Sequence, residues 1–134
     1  MLGEKMGELA GKVTARRVLP GEVSDPSLEI SFQSSGRVLG IDVSELGTFW
    51  SRPMPGGTYY GEGQGLWVTR DSEGCTWKGT GVGKPNGRGG VSYRGSVCLS
   101  TNSNRLSRLN GVCAVYEYEL DENGDCRTLF AEWK

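Results

Sequence analysis

The sequence predicts an all-β fold: an antiparallel up-and-down β-barrel of about eight strands, formed as a single domain over residues 1–134. Three observations predict it. Runs of alternating apolar and polar residues recur along the chain, separated by short turns rich in Gly, Pro and Asn. No window carries a convincing helical period; the best helix candidate, residues 42–47, is shorter than two turns. Glycine is in excess, 22 residues where an average chain of this length holds roughly 9, and much of it lies inside strands. Glycine columns allow the sharp bending that closes a small barrel, which favours closure over the alternative of a two-sheet sandwich.

The first strand is read over residues 9–18, where Leu9, Val13 and Ala15 share a face with Gly11. A polar loop over 21–27 leads to a second strand in which Leu28, Ile30 and Phe32 alternate with polar residues, and Ser34, Ser35 and Gly36 are expected to turn the chain. A third strand follows with Leu39, Ile41 and Val43, then a fourth, shorter piece over 46–52 and a Pro/Gly loop over 52–57. The stretch over 58–84 reads as a hairpin with glycine at every second position: Gly61, Gly63 and Gly65 on one arm, Gly79, Gly81 and Gly83 on the other. Trp67, Cys75 and Trp77 share the glycine face. A turn centred near Ser72 pairs Gly65 with Gly79; a left-handed Gly74 slides the pairing by two without changing the face. After a turn over 84–90, Val91, Tyr93, Val97 and Leu99 point inward, with Tyr93 laid over Gly81. The next strand, 106–120, turns Val112, Ala114, Tyr116 and Tyr118 inward. Asn123-Gly124 predicts a two-residue hairpin that pairs Leu120 with Arg127 and Ala114 with an inward Trp133.

The composition narrows function mainly by exclusion. Fifteen basic and sixteen acidic residues give a net charge of −1, and neither sign clusters, so neither a nucleic-acid groove nor a membrane-surface patch is expected. No apolar run is long enough for a signal peptide or a membrane-spanning helix, and a soluble, cytoplasmic protein is expected. Cys75, Cys98, Cys113 and Cys126 lack metal-binding spacing, and the expected register does not place Cys98 opposite Cys113, so reduced thiols are expected. The absence of histidine removes the commonest general base and zinc ligand. Gly-Thr-Gly-Val-Gly imitates a nucleotide-binding loop, but a phosphate cradle needs a helix after it, and here the chain continues as strand. Asp121, Asn123, Asp125 and Glu132 imitate a calcium loop, yet Cys126 stands where that loop requires glycine. Neither a metal nor a cofactor is expected.

The segments YGEGQG (60–65), TWKGTGVGKPNGRGGVSYRG (76–95), RLNGV (108–112) and VYEYELDENGD (115–125) resemble an uncharacterised family of small prokaryotic proteins. That family in turn resembles the allene-oxide-cyclase-like, calycin-type barrels. The resemblance implies a short eight-stranded antiparallel barrel that assembles as a homo-oligomer, and it implies no activity. Plant allene oxide cyclases act on an epoxide fatty acid; none of their catalytic residues matches a position here.

The barrel interior is the candidate site. Tyr59, Trp67, Trp77, Tyr93, Asn110 and Tyr116 are the candidate ligand-binding residues, with Thr48 and Trp50 as further inward candidates. Aromatic side chains beside bare glycines make either a filled, tapered core or a cavity with one glycine wall. Alternation sends Glu62, Glu117 and Glu119 outward, leaving tyrosines, Cys75, Asn110 and Arg108 inside. Binding of a small apolar ligand is therefore expected ahead of catalysis. A cyclase or isomerase on the same barrel, requiring an inward carboxylate, and a structural barrel with a solid core are the alternatives.

Overall fold

The computed structural model describes residues 2–21 and 26–134. Eight antiparallel strands follow one another around a closed barrel: β1 (Leu2–Val18), β2 (Leu28–Val38), β3 (Ile41–Met54), β4 (Thr58–Thr69), β5 (Gly74–Pro85), β6 (Val91–Thr101), β7 (Cys113–Leu120) and β8 (Asp125–Trp133). Each strand pairs with its sequence neighbour, and β8 returns to pair with β1. The expected fold is thus the one formed. Part of the polar loop expected over 21–27 lies outside the described residues.

Several boundaries move, each for a physical reason. Ser34, Ser35 and Gly36 do not turn the chain but continue β2, and Gly36 is needed because β1 presses against it. A Cβ on Gly36 would lie 2.0 Å from the Glu8 carbonyl oxygen. The turn comes instead at Leu39-Gly40, both with positive φ (53° and 76°), the two-residue connection whose twist matches antiparallel strands. The two pieces expected over 39–43 and 46–52 are one continuous strand, β3. Its inner face is therefore Val43, Glu45, Gly47, Phe49 and Ser51, while Thr48 and Trp50 face outward.

The β4–β5 hairpin takes the slid register, with Gly65 opposite Trp77 and Trp67 opposite Cys75. The left-handed residue is Ser72 (φ 66°) rather than Gly74. Its N–H donates to the Thr69 carbonyl, 3.1 Å away, closing a three-residue loop. The β7–β8 loop is built in the same way, with Gly124 (φ 85°) in the left-handed position. It therefore holds three residues, not two, so β8 slips by one and every side chain changes face. Leu120 pairs with Cys126, Tyr118 with Thr128 and Tyr116 with Phe130. Trp133 is accordingly outside, 58% exposed. On β6 the pairing is two residues from the expected one: Tyr93 lies opposite Gly83, its ring over the space a Cβ there would need, and Tyr116 covers Gly81.

Two apolar clusters fill the barrel. One gathers Met6, Leu9, Val43, Trp67, Val97 and Phe130 around Leu106 and Leu109, both wholly buried. Those leucines come from the segment expected to begin a strand at 106; it is instead a loop with a 3-10 turn, Ser107–Leu109, that plugs one end of the barrel. Arg105 pairs with Asp71 across this end, and Ser103 donates to Glu73. The second cluster, Phe32, Tyr93, Tyr118, Leu120 and Cys126, fills the other half.

Candidate functional site

At the level where the two clusters meet, the interior holds a cavity of about 60 Å³. Gly61, Gly63 and Gly79 form one wall and Phe32, Phe49 and Phe130 stand around them. The glycines belong to adjoining strands; a Cβ on Gly63 or Gly79 would collide with Phe49 or Val97, 2.6 Å away in each case, whereas one on Gly61 would meet only ordinary contacts at 3.5 Å. The aromatics lock one another: Phe32 lies 5.4 Å from Tyr118 and stacks at 6.4 Å on Trp77, and Phe49 meets Tyr93 edge-on at 5.5 Å.

Glu45 stands on this cavity as its one buried carboxylate among the described residues, 3% exposed. Its Oε2 accepts a hydrogen bond from Trp67 Nε1 at 2.6 Å and a second from Trp77 Nε1 at 3.0 Å. Its Oε1 is buried without a hydrogen-bond partner among the described residues. Burial raises the proton affinity of this carboxyl, the two indole N–H groups offset part of that, and its pKa is pushed up to about 7. Because Oε2 already accepts twice, the neutral acid carries its proton on Oε1.

Three tyrosines, the buried Thr128 and the partly exposed Glu62 are the other polar residues of the lining. The Tyr118 hydroxyl is buried with no partner at hydrogen-bond geometry among the described residues, although the Cys126 thiol lies beside it; burial first, and that thiol after it, hold its phenol well above the ordinary range. Tyr93 shares a hydrogen bond with Ser51 Oγ at 2.8 Å, and burial raises its pKa too. Tyr116 donates to the Thr80 carbonyl at 3.1 Å, and burial pushes it up to about 12. All three stay protonated at neutral pH and act as donors or dipoles rather than bases. Glu45 is the group able to exchange a proton near neutrality.

The candidate residues named from sequence are thus only partly brought together. Trp77, Tyr93 and Tyr116 line the cavity. Trp67 is wholly buried and acts through Glu45, and Tyr59 packs against the second cluster. Asn110 lies elsewhere: it is exposed in the end-plugging loop, where its amide exchanges two 2.9 Å hydrogen bonds with the backbone of Thr101. Glu45 was not among those candidates. Its signal was parity: carried unbroken from Ile41 to Ser51, alternation puts Glu45 on the face of Val43 and Phe49. Cys98 and Cys113 also depart from expectation, since the β6–β7 register sets them directly opposite each other on the outer face.

No described family model matches the chain, and no curated protein is similar to it in sequence. Solved structures are similar in fold. A conserved protein of unknown function from Rhodopseudomonas palustris superposes with a TM-score of 0.79 over 99% of both chains at 10% identity. A beta-barrel like protein from Acinetobacter baumannii gives 0.81 over 100% of this chain and 96% of its own, at 14% identity. A protein described as an enzyme from Penicillium herquei gives 0.67 over 96% and 92%, at 15% identity. At these identities the likeness is one of fold alone. No helix among the described residues is long and apolar enough to cross a membrane, which says nothing about strands.

Proposed function

We propose that the protein binds a small, mostly apolar molecule carrying one hydrogen-bonding oxygen, with that oxygen held at Glu45 and Tyr118. One observation carries this reading: Glu45 and Tyr118, two residues that line the same cavity, each hold a buried polar atom, Oε1 and the hydroxyl, without a hydrogen-bond partner among the described residues. Leaving such atoms unpaired costs about 1–3 kcal/mol each, which a matching ligand group would return. The cavity is small beside the roughly 300–1000 Å³ of drug-sized sites, so the ligand is of a few heavy atoms unless the aromatic wall moves.

The experiment is tryptophan fluorescence of the purified protein titrated with short alcohols, phenols and ketones. Trp67 and Trp77 hold Glu45 and report on anything that reaches it. Saturable quenching is expected, with Kd rising at least tenfold in Glu45→Gln. A folded protein that responds to none of the panel would overturn the reading and leave a filled, structural barrel.

A second reading, proton-transfer catalysis of the isomerase or cyclase kind, is favoured by the proton affinity of Glu45, near 7, beside phenols that stay protonated. The resemblance to allene-oxide-cyclase-like barrels and the fungal neighbour described as an enzyme belong with it as fold-level analogy only. Deuterium exchange at the α-carbon of a bound ketone, rising through pH 7 and abolished in Glu45→Gln, would support it over simple binding.

A further inference from the structure

We propose that Cys98 and Cys113 form a reversible oxidation site, a cross-strand dithiol that a hydroperoxide converts to a disulfide on the outside of the barrel. The two residues are direct partners in the β6–β7 ladder. Facing residues of an antiparallel pair have Cα atoms about 4.5–5.5 Å apart, within the roughly 4.4–6.8 Å that a disulfide spans. Both thiols are free and exposed, whereas Cys75 and Cys126 are buried. Burial raises the proton affinity of Cys75 further, making that thiol a poorer nucleophile. On the same outer face Lys78 lies opposite Cys98 from the β5 side, so a cation flanks one thiol and a second thiol the other.

The chemistry balances as a two-electron exchange. The Cys98 sulfur attacks the terminal oxygen of the hydroperoxide; the O–O bond breaks, a sulfenic acid forms, and the alkoxide leaves as the alcohol after taking a proton. The Cys113 sulfur then attacks the sulfenic sulfur, the S–S bond forms and water departs. The dithiol is oxidised by two electrons and the hydroperoxide is reduced to alcohol and water. The disulfide closes the chain around the Leu106/Leu109 plug, tying β6 to β7 where that loop leaves the barrel wall. A later thiol reductant restores the pair.

The test is peroxide titration of the native, reduced protein followed by peptide mass spectrometry and thiol counting. The expected result is one intramolecular Cys98–Cys113 link, a monomer lighter by two hydrogens, two unreacted buried thiols and full reversal by dithiothreitol. The melting temperature of the oxidised form should rise by roughly 5–10 °C, a gain absent from Cys98→Ser. In Cys113→Ser the sulfenic acid at Cys98 has no partner and should be trapped by dimedone. Dimedone trapping in the wild type at the level of that variant, intermolecular dimers, or separate over-oxidation of the two cysteines would each overturn the proposal. The outcome does not depend on whether the cavity binds a ligand.

Discussion

Glu45 shows how a single side chain can be stabilised in place and still left incomplete. Two indole N–H groups fix Oε2, while Oε1 and the Tyr118 hydroxyl stay buried and unpaired. A residue kept only for packing would not carry that penalty. Removing the Tyr118 oxygen should therefore relieve it: Tyr118→Phe is expected to raise stability by about 1 kcal/mol while weakening ligand binding severalfold, read from denaturant melts and the fluorescence titration. Loss of stability in that variant would mean the hydroxyl has a partner after all. At this scale the sequence was informative about aromatics and silent about the acid. Trp67, Trp77, Tyr93 and Tyr116 point inward because alternation within an unbroken glycine-and-aromatic run is unambiguous. Glu45 was hidden because a charged residue beside Leu46 looks like the end of a strand, and what makes its burial tolerable, two tryptophans from β4 and β5, is a long-range contact. Asn110 misled for the opposite reason, since a polar residue next to a buried Leu109 reads as inward when its loop is taken for strand.

At the scale of strands and turns, faces were more legible than registers. Parity held on β4, β5 and β6, where glycines mark the inner face. It failed on β8, where Asn123-Gly124 supports either a two-residue turn or a three-residue loop with the glycine left-handed, and the choice between them flips the strand. The glycines also differ among themselves. A Cβ on Gly95 would lie 1.9 Å from the Thr80 carbonyl oxygen, a backbone collision that only a shift of β5 against β6 relieves. At Gly61 the nearest heavy atom is 3.5 Å away, an ordinary contact, although the residue lines the cavity. Gly95→Ala is thus expected to cost at least about 3 kcal/mol, and Gly61→Ala less than about 1 kcal/mol while narrowing the site and reducing ligand affinity. Equal stability losses in the two variants would show that curvature, rather than close approach, governs the glycines.

For the molecule as a whole, the titrating groups predict an unusual pH dependence. The Glu45 carboxyl ionises near 7 when folded against an ordinary value of 4.5, so between these pH values the native state holds a proton that the unfolded chain has lost. Stability therefore falls as pH rises from 4.5 to 7, by about 3 kcal/mol in all from this group. Glu8 acts in the other direction: its hydrogen bonds, first to Lys5 and then to Arg127, bring it down to about 2, and what it contributes is lost as pH falls below 4.5. Thermal melts across pH 3–8 should peak on the acid side of neutrality, and Glu45→Gln should flatten the neutral limb while leaving the acid limb in place. A wild-type neutral limb as flat as that of the variant would remove Glu45 from its buried setting. The return of β8 to β1 has a separate consequence for how other molecules meet this one. A sheet closed on itself has no strand that is free along its whole length; what is left open is strand ends such as residues 15–18 of β1, which pair with β2 but run past the last β8 partner of β1, so strand addition is confined to such short stretches. Recognition by another macromolecule therefore falls mainly to side chains projecting from the outer wall and to the loops at the two ends.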